Sequence, residues 1–199
     1  MRVAVLLSGR GSNFQAIHEA IARGELPAQI VCVISNRPDA AGLQRARDYG
    51  YAAHAIDHKL FASRAAHETE VLRVLDEARP DFIALAGYMR LLGAEFIARW
   101  RNRIVNIHPS LLPAFPGVDA QAQAVAYGVK VSGCTVHLVD EQLDAGPILV
   151  QRAVPVHEDD DASTLAARIL SQEHAAYVEA LRSLATRAWR VEGRRVVFS

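Results

Sequence analysis

Apolar positions fall in short continuous runs separated by stretches of helical spacing. Val3-Ala4-Val5-Leu6-Leu7, Ile30-Val31-Cys32-Val33-Ile34 and Phe82-Ile83-Ala84-Leu85-Ala86 are apolar throughout. Runs of this length suit strands covered on both faces, as in a parallel sheet. Between them, Phe14, Ile17, His18 and Ile21 recur at helical spacing, and so do Val71, Val74, Leu75 and Ala78. The pattern predicts strands over 3–7, 30–34, 52–56, 82–86 and 104–106, with helices after Asn13 and over 42–49, 63–78 and 93–100. Beyond residue 110 it predicts a helix over 120–127, strands over 133–139 and 148–156, and a long helix to about Ala185. Asp159-Asp160-Asp161 opens that helix, where acidic residues complement the dipole. A hairpin turning near Glu192-Gly193 closes the chain.

Early strands alternate with helices, and the later strands do not. The expected class is therefore α/β: a doubly wound, mostly parallel central sheet with helices on both faces and a mixed C-terminal edge. At 199 residues, with no repeat or linker, the chain is expected to be one domain, 1–199. Hydrophobic residues make up 51%, ample for a core, and the formal net charge is zero. A nucleic-acid binder would carry a basic excess. No signal peptide and no apolar run of membrane-spanning length is evident. Cys32 and Cys134 sit in apolar runs, as reduced buried thiols of a cytoplasmic protein do. The partners expected are small molecules, with a homodimer left open and neither nucleic acid nor membrane.

Four stretches could carry chemistry. Ser8-Gly9-Arg10-Gly11-Ser12-Asn13 joins the first strand to the first helix, where free N–H groups and the helix dipole suit a phosphate. Phe14 replaces the third glycine of a dinucleotide fingerprint, and the turn carries no Gly-Lys-Ser/Thr. A plain tight turn capped by a Ser12/Gln15 box is the alternative, and the two are compatible. On the last helix, Glu173 falls on the apolar stripe of Leu165, Ile169, Tyr177 and Leu184. An inward carboxylate marks either a site or an internal ion pair with an arginine. Gln172 and His174 flank it and suit a polar ligand or solvent equally.

The third stretch is Asn106-Ile107-His108-Pro109-Ser110-Leu111-Leu112-Pro113. Residues two apart on a strand face the same side, so Asn106 and His108 project together at its mouth. Pro109, Pro113 and Pro116 stiffen the chain beyond His108. The fourth is the acidic loop Asp140 to Gly146, where Asp140, Glu141 and Asp144 are candidates to favour a charged His108. An amide donor and an imidazolium would stabilise an oxyanion. A strand exit and a solvated acidic turn are the bland alternatives. Cys134 and His137, three apart on a strand, should diverge, so no metal site is expected. Ser110 lies outside any Gly-x-Ser-x-Gly elbow, which argues against a serine nucleophile.

These residues, with Ala86-Gly87-Tyr88-Met89-Arg90, Phe115-Pro116-Gly117, His137, Asp144-x-Gly146-Pro147 and Gln172-Glu173-His174, resemble the phosphoribosylglycinamide formyltransferase family from the first strand to the last long helix. The resemblance implies formyl transfer from 10-formyltetrahydrofolate to the amine of glycinamide ribonucleotide, in purine synthesis. It implies Asn106, His108 and Asp144 as the catalytic group. Gly11, Ser12 and Asn13 would hold the substrate phosphate, and Glu173 the ribose, with Leu170, Ser171 and Gln172 nearby. Met89, Arg90, Leu91 and Leu92, with Asn106, Asp140, Glu141, Gln142, Leu143 and Asp144, would line the folate pocket, and Arg64 would lie near the folate. Asp119 departs from the pattern, since several relatives have His just after the Pro-Gly. A methionyl-tRNA formyltransferase would be expected to add a C-terminal domain and a basic surface, and a formyltetrahydrofolate hydrolase an N-terminal domain. A non-catalytic phosphate-ligand sensor would need only the turn at Gly11.

Overall fold

A computed structural model describes residues 1–199. The chain divides into two compact units, Met1–Val105 and Asn106–Ser199.

The first unit runs β1 (Arg2–Leu7), α1 (Ser12–Ala22), β2 (Gln29–Ser35), α2 (Ala41–Asp48), β3 (Ala53–Ala55), α3 (Arg64–Ala78), β4 (Phe82–Leu85), α4 (Ala94–Arg99) and the start of β5 (Ile104–His108). Its strands lie in the order β3-β2-β1-β4-β5. β1 pairs in parallel with both β2 and β4, and β2 in parallel with β3. Val3 to Leu7 are fully buried, which is why that run is apolar at every position. Phe14, Ile17, Leu43 and Leu75 pack the helices into the same core.

Local chemistry sets the helix ends. Ser63 Oγ accepts the Ala66 N–H at the start of α3. At its end Arg79 adopts φ 48°, and the Arg2 guanidinium donates to the Ala78 and Arg79 carbonyls. The left-handed turn at Arg79, one residue before Pro80, is what stops the helix. The alternative Ser12/Gln15 capping box is not made. Gly11 is the N-cap of α1, at φ 73° with no side-chain cap, and Gln15 Nε2 donates instead to Glu19. The reason is a close approach of two backbones. A Cβ at Gly11 would stand 2.9 Å from the Gly42 Cα, so the turn needs a bare left-handed residue there.

The second unit holds the end of β5, α5 (Ala120–Tyr127), β6 (Val131–Leu138), β7 (Ile148–Pro155), α6 (Ala162–Thr186), β8 (Trp189–Glu192) and β9 (Arg195–Phe198), with strands in the order β5-β6-β7-β9-β8. β6 and β7 are antiparallel, β7 and β9 parallel, β8 and β9 antiparallel. The expected α/β class with a mixed C-terminal edge holds. β5 runs to His108, two residues past the expected end. α6 opens with a reciprocal cap between Asp161 and Thr164, while Asp160 pairs with Arg168. No helix is long and apolar enough to cross a membrane.

Candidate active site

In the second unit, β5 delivers Asn106 and His108 on either side of the buried Ile107. His108 is buried, and its Nε2 donates to the Phe115 carbonyl at 2.8 Å. That carbonyl is held in place by its loop. Ser110 Oγ donates to the Ala114 carbonyl. Thr135 Oγ1 donates to the Ser110 carbonyl at 2.7 Å and accepts the Leu112 N–H at 3.0 Å. Gln151 Nε2 donates to the Leu112 carbonyl and to the same Thr135 oxygen. The proline stretch is thereby tied to β6 and β7. The Ser110 hydroxyl is buried and engaged with a backbone carbonyl, which leaves it no nucleophilic role.

Of the three acidic candidates, Asp144 is the one brought to His108. It sits at φ 49°, with Oδ2 accepting the Gly117 N–H at 2.8 Å. The same oxygen lies 3.4 Å from His108 Nδ1, a direct approach with no space for an intervening water. One ring nitrogen of His108 thus donates to a carbonyl, and the other lies beside a carboxylate. Asp140 instead accepts the Gln142 N–H, and Glu141, Gln142 and Leu143 are exposed.

His137 enters the group without having been assigned a role. It is buried, its Nδ1 donates to the Leu138 carbonyl at 3.0 Å, and burial holds its pKa below the ordinary 6.5. The neutral ring therefore presents a lone pair at Nε2, which accepts from Asn106 Nδ2 at 3.3 Å. This contact orients the Asn106 amide and leaves its second N–H unspent. The 3.8 Å approach of His137 Nε2 to Asp144 is accordingly not an ion pair. In the sequence, His137 stands in the Cys134-x-x-His137 spacing and among the residues that carry the family resemblance, neither of which gives it a role. Cys134 feels the charge of Glu173, while His137 meets Asn106 and Asp144, so the two serve different neighbours. No three His, Cys, Asp or Glu side chains are grouped as a metal ion would need.

A histidine held neutral by burial favours the unfolded state once protons are available to it. His137 contributes stability that is fully present above about pH 6.5 and lost as the pH falls from there toward its lowered value. The unfolding midpoint, followed from about pH 7.5 to about 5.5, is expected to fall less steeply in His137→Gln than in the wild type. Parallel profiles would contradict this.

On α6, Glu173 is buried among Leu165, Ile169, Tyr177 and Leu184, so the stripe faces inward as its spacing predicts. Its charge adds to burial in pushing the Cys134 thiol up to about 12, which keeps that cysteine unreactive. Leu170 and Gln172 are half-buried. Ser171 is exposed, and its hydroxyl donates to the Arg168 carbonyl. Asp119 is an exposed left-handed residue that precedes α5.

In the first unit, no side chain caps the N-terminus of α1, where Gly11, Ser12 and Asn13 lie. The Arg45 guanidinium donates to the Arg10 carbonyl in the same turn. A helix start with no side-chain cap leaves backbone N–H groups and the positive end of the dipole available to an anion. Segment 87–93 is held at both ends. Ser8 N–H donates to the Gly87 carbonyl, Ser8 Oγ accepts the Met89 N–H at 2.8 Å, and Glu68 accepts the Gly93 N–H at 2.9 Å. Arg64 stands 3.8 Å from Glu68. Met89 and Leu91 are 79% and 64% exposed on this fixed backbone, a suitable surface for a flat apolar ligand. The Ser8 and Glu68 anchors were not foreseen, since each acts across a long stretch of sequence.

The formyl transferase family model matches residues 1–181. The trifunctional purine biosynthetic protein adenosine-3 of Drosophila melanogaster is 53% identical over 92% of this chain, which spans only 14% of that relative's length. The phosphoribosylglycinamide formyltransferase of Escherichia coli strain K12 is 42% identical, over 89% of this chain and 84% of its own. The crystal structure of glycinamide ribonucleotide transformylase 1 from Symbiobacterium toebii superposes with a TM-score of 0.97 at 47% identity, covering 100% of this chain and 93% of that one. The chain belongs to the formyl transferase family and, within it, to the phosphoribosylglycinamide formyltransferases.

Proposed function

We propose that residues 1–199 act as a single formyltransferase domain. It transfers the formyl group of 10-formyltetrahydrofolate to the amine of N1-(5-phosphoribosyl)glycinamide, giving formylglycinamide ribonucleotide and tetrahydrofolate in de novo purine (IMP) biosynthesis. The observation that carries this reading is the His108–Asp144 approach beside the oriented amide of Asn106. The amine lone pair attacks the formyl carbon, and the carbonyl electrons move onto oxygen. The remaining N–H of Asn106 and the charge of the His108 imidazolium stabilise that oxyanion. The attacking nitrogen loses a proton and the folate N10 gains one, with Asp144 assisting the transfer. The oxyanion then re-forms its carbonyl as the C–N10 bond breaks. Neither a metal nor a covalent enzyme intermediate takes part.

Binding roles follow the same reading. Gly11, Ser12 and Asn13 hold the substrate phosphate, and Glu173 accepts the ribose hydroxyls with Leu170, Ser171 and Gln172 around it. Met89 to Leu92 and Asp140 to Asp144 receive the folate, with Arg64 near it. Holding both substrates in line supplies much of the rate. The protein works in the cytoplasm, as a monomer or homodimer. The test is incubation of 10-formyltetrahydrofolate with and without glycinamide ribonucleotide. Tetrahydrofolate formed only with the amine, in step with formylated product, is the expected result. Release of formate without the amine would make the chain a hydrolase, and ligand binding without turnover would make it a sensor.

A further inference from the structure

The terminal hairpin lies beyond residue 181, where the family match ends. It is an ordered element. Trp189 pairs with Phe198 and Glu192 with Arg195, the Ser199 N–H donates to the Ala188 carbonyl, and the Arg187 guanidinium lies 4.8 Å over the Phe198 ring. β9 also pairs with β7 at Arg195 and Ile148, two residues past Gly146. From the hairpin turn, Arg194 Nη2 donates to the Ala145 carbonyl at 2.6 Å. Ala145 directly follows Asp144.

The loop that receives this contact is closed at its neck by backbone. The Leu138 N–H donates to the Pro147 carbonyl at 2.8 Å. Gly146 lies so near Leu138 that a Cβ would stand 1.8 Å from the Leu138 oxygen. Above the neck, Asp140 accepts the Gln142 N–H and Asp144 the Gly117 N–H, while on the backbone the Ala145 N–H reaches Gln142 only at 3.4 Å and the tip, 141–143, is exposed. Asp144 itself is left-handed, at φ 49°, a conformation that aspartate tolerates better than most side chains but that fixes where its carboxylate points. The Arg194 bond is charge-assisted and short, and it grips the limb that carries Asp144.

We infer that Arg194 is a positioning residue. Through the Ala145 carbonyl, the terminal hairpin braces the limb that brings Asp144 to His108 Nδ1. The one side-chain bond of Arg194 is to the Ala145 carbonyl, so it acts through the backbone of the loop. This deepens the formyl-transfer reading and rests on it.

The test compares the full chain with Arg194→Ala and Arg194→Lys. In Arg194→Ala, kcat is expected to fall by about tenfold, for a displacement of Asp144 smaller than the ~1 Å that costs on the order of 10²-fold. KM for the phosphoribosyl substrate should stay unchanged. Lysine, which can still donate to a carbonyl, should restore much of the loss. Amide hydrogen exchange at Ala145 and Gly146 should quicken in Arg194→Ala while β6 stays protected. A purely structural hairpin would instead lower the unfolding midpoint and quicken exchange along β7, with kcat per folded molecule intact. Unchanged kcat and unchanged exchange at 145–146 would overturn the proposal. Exchange needs no turnover. If the wild type fails to transfer formyl groups, the proposed reaction falls, and exchange alone decides whether the brace exists.

Discussion

His108→Ala is expected to lower kcat by about 10²- to 10⁴-fold, the range for loss of one positioned acid–base or oxyanion group. That is roughly 3–5 kcal/mol of transition-state stabilisation. KM for both substrates should change little, because the imidazolium acts on charge that develops only during reaction. The substitution also frees the Phe115 carbonyl from its Nε2 donor. That bond is worth about 1 kcal/mol, or some 2–4 °C of melting midpoint in a chain of this size. A variant that stays folded at assay temperature while losing orders of magnitude in kcat separates chemistry from stability. Steady-state kinetics beside a melting curve make the measurement. Turnover close to wild type would remove His108 from the mechanism.

Asp144→Asn tests the partner and is expected to cost about 10²-fold or more in kcat. The amide oxygen can still accept the Gly117 N–H, so the loop keeps that tie. What is lost is the negative charge 3.4 Å from His108 Nδ1. An asparagine there compensates no imidazolium and takes up no proton. Combining Asp144→Asn with His108→Ala should cost little more than either alone, since the two act as one unit. Multiplicative losses in the double variant would show two independent roles.

Much of the frame was legible from pattern alone. The apolar runs at 3–7, 30–34 and 82–86 became parallel strands, buried apart from the half-buried Val31 and with Ala86 just past the end of β4, because a strand covered on both faces has little room for polar residues. The stripe on the last helix placed Glu173 inward, because spacing on a helix fixes a residue's face whatever its chemistry. Asn106 and His108 were set together by strand alternation. The Ser12/Gln15 cap failed because Gly42, distant from Gly11 in sequence, makes the turn pack backbone on backbone. His137 belongs to the family pattern, but its role does not show in the sequence, because its partners, Asn106 and Asp144, lie on other elements and its neutral state comes from burial that no local motif records.

By itself, then, the sequence determined the periodicities and the residue types at each mouth, turn and stripe. Those depend on neighbours within a few positions, where backbone geometry rules. Tertiary structure decided that Asp144, the acid the resemblance implies, meets His108 directly, and which proton His137 keeps. It also decided that the far terminus reaches back to Ala145. Each of these is a contact of a few ångströms between segments distant in sequence. Such contacts are set by how strands register and loops close, not by the spacing of residues along the chain.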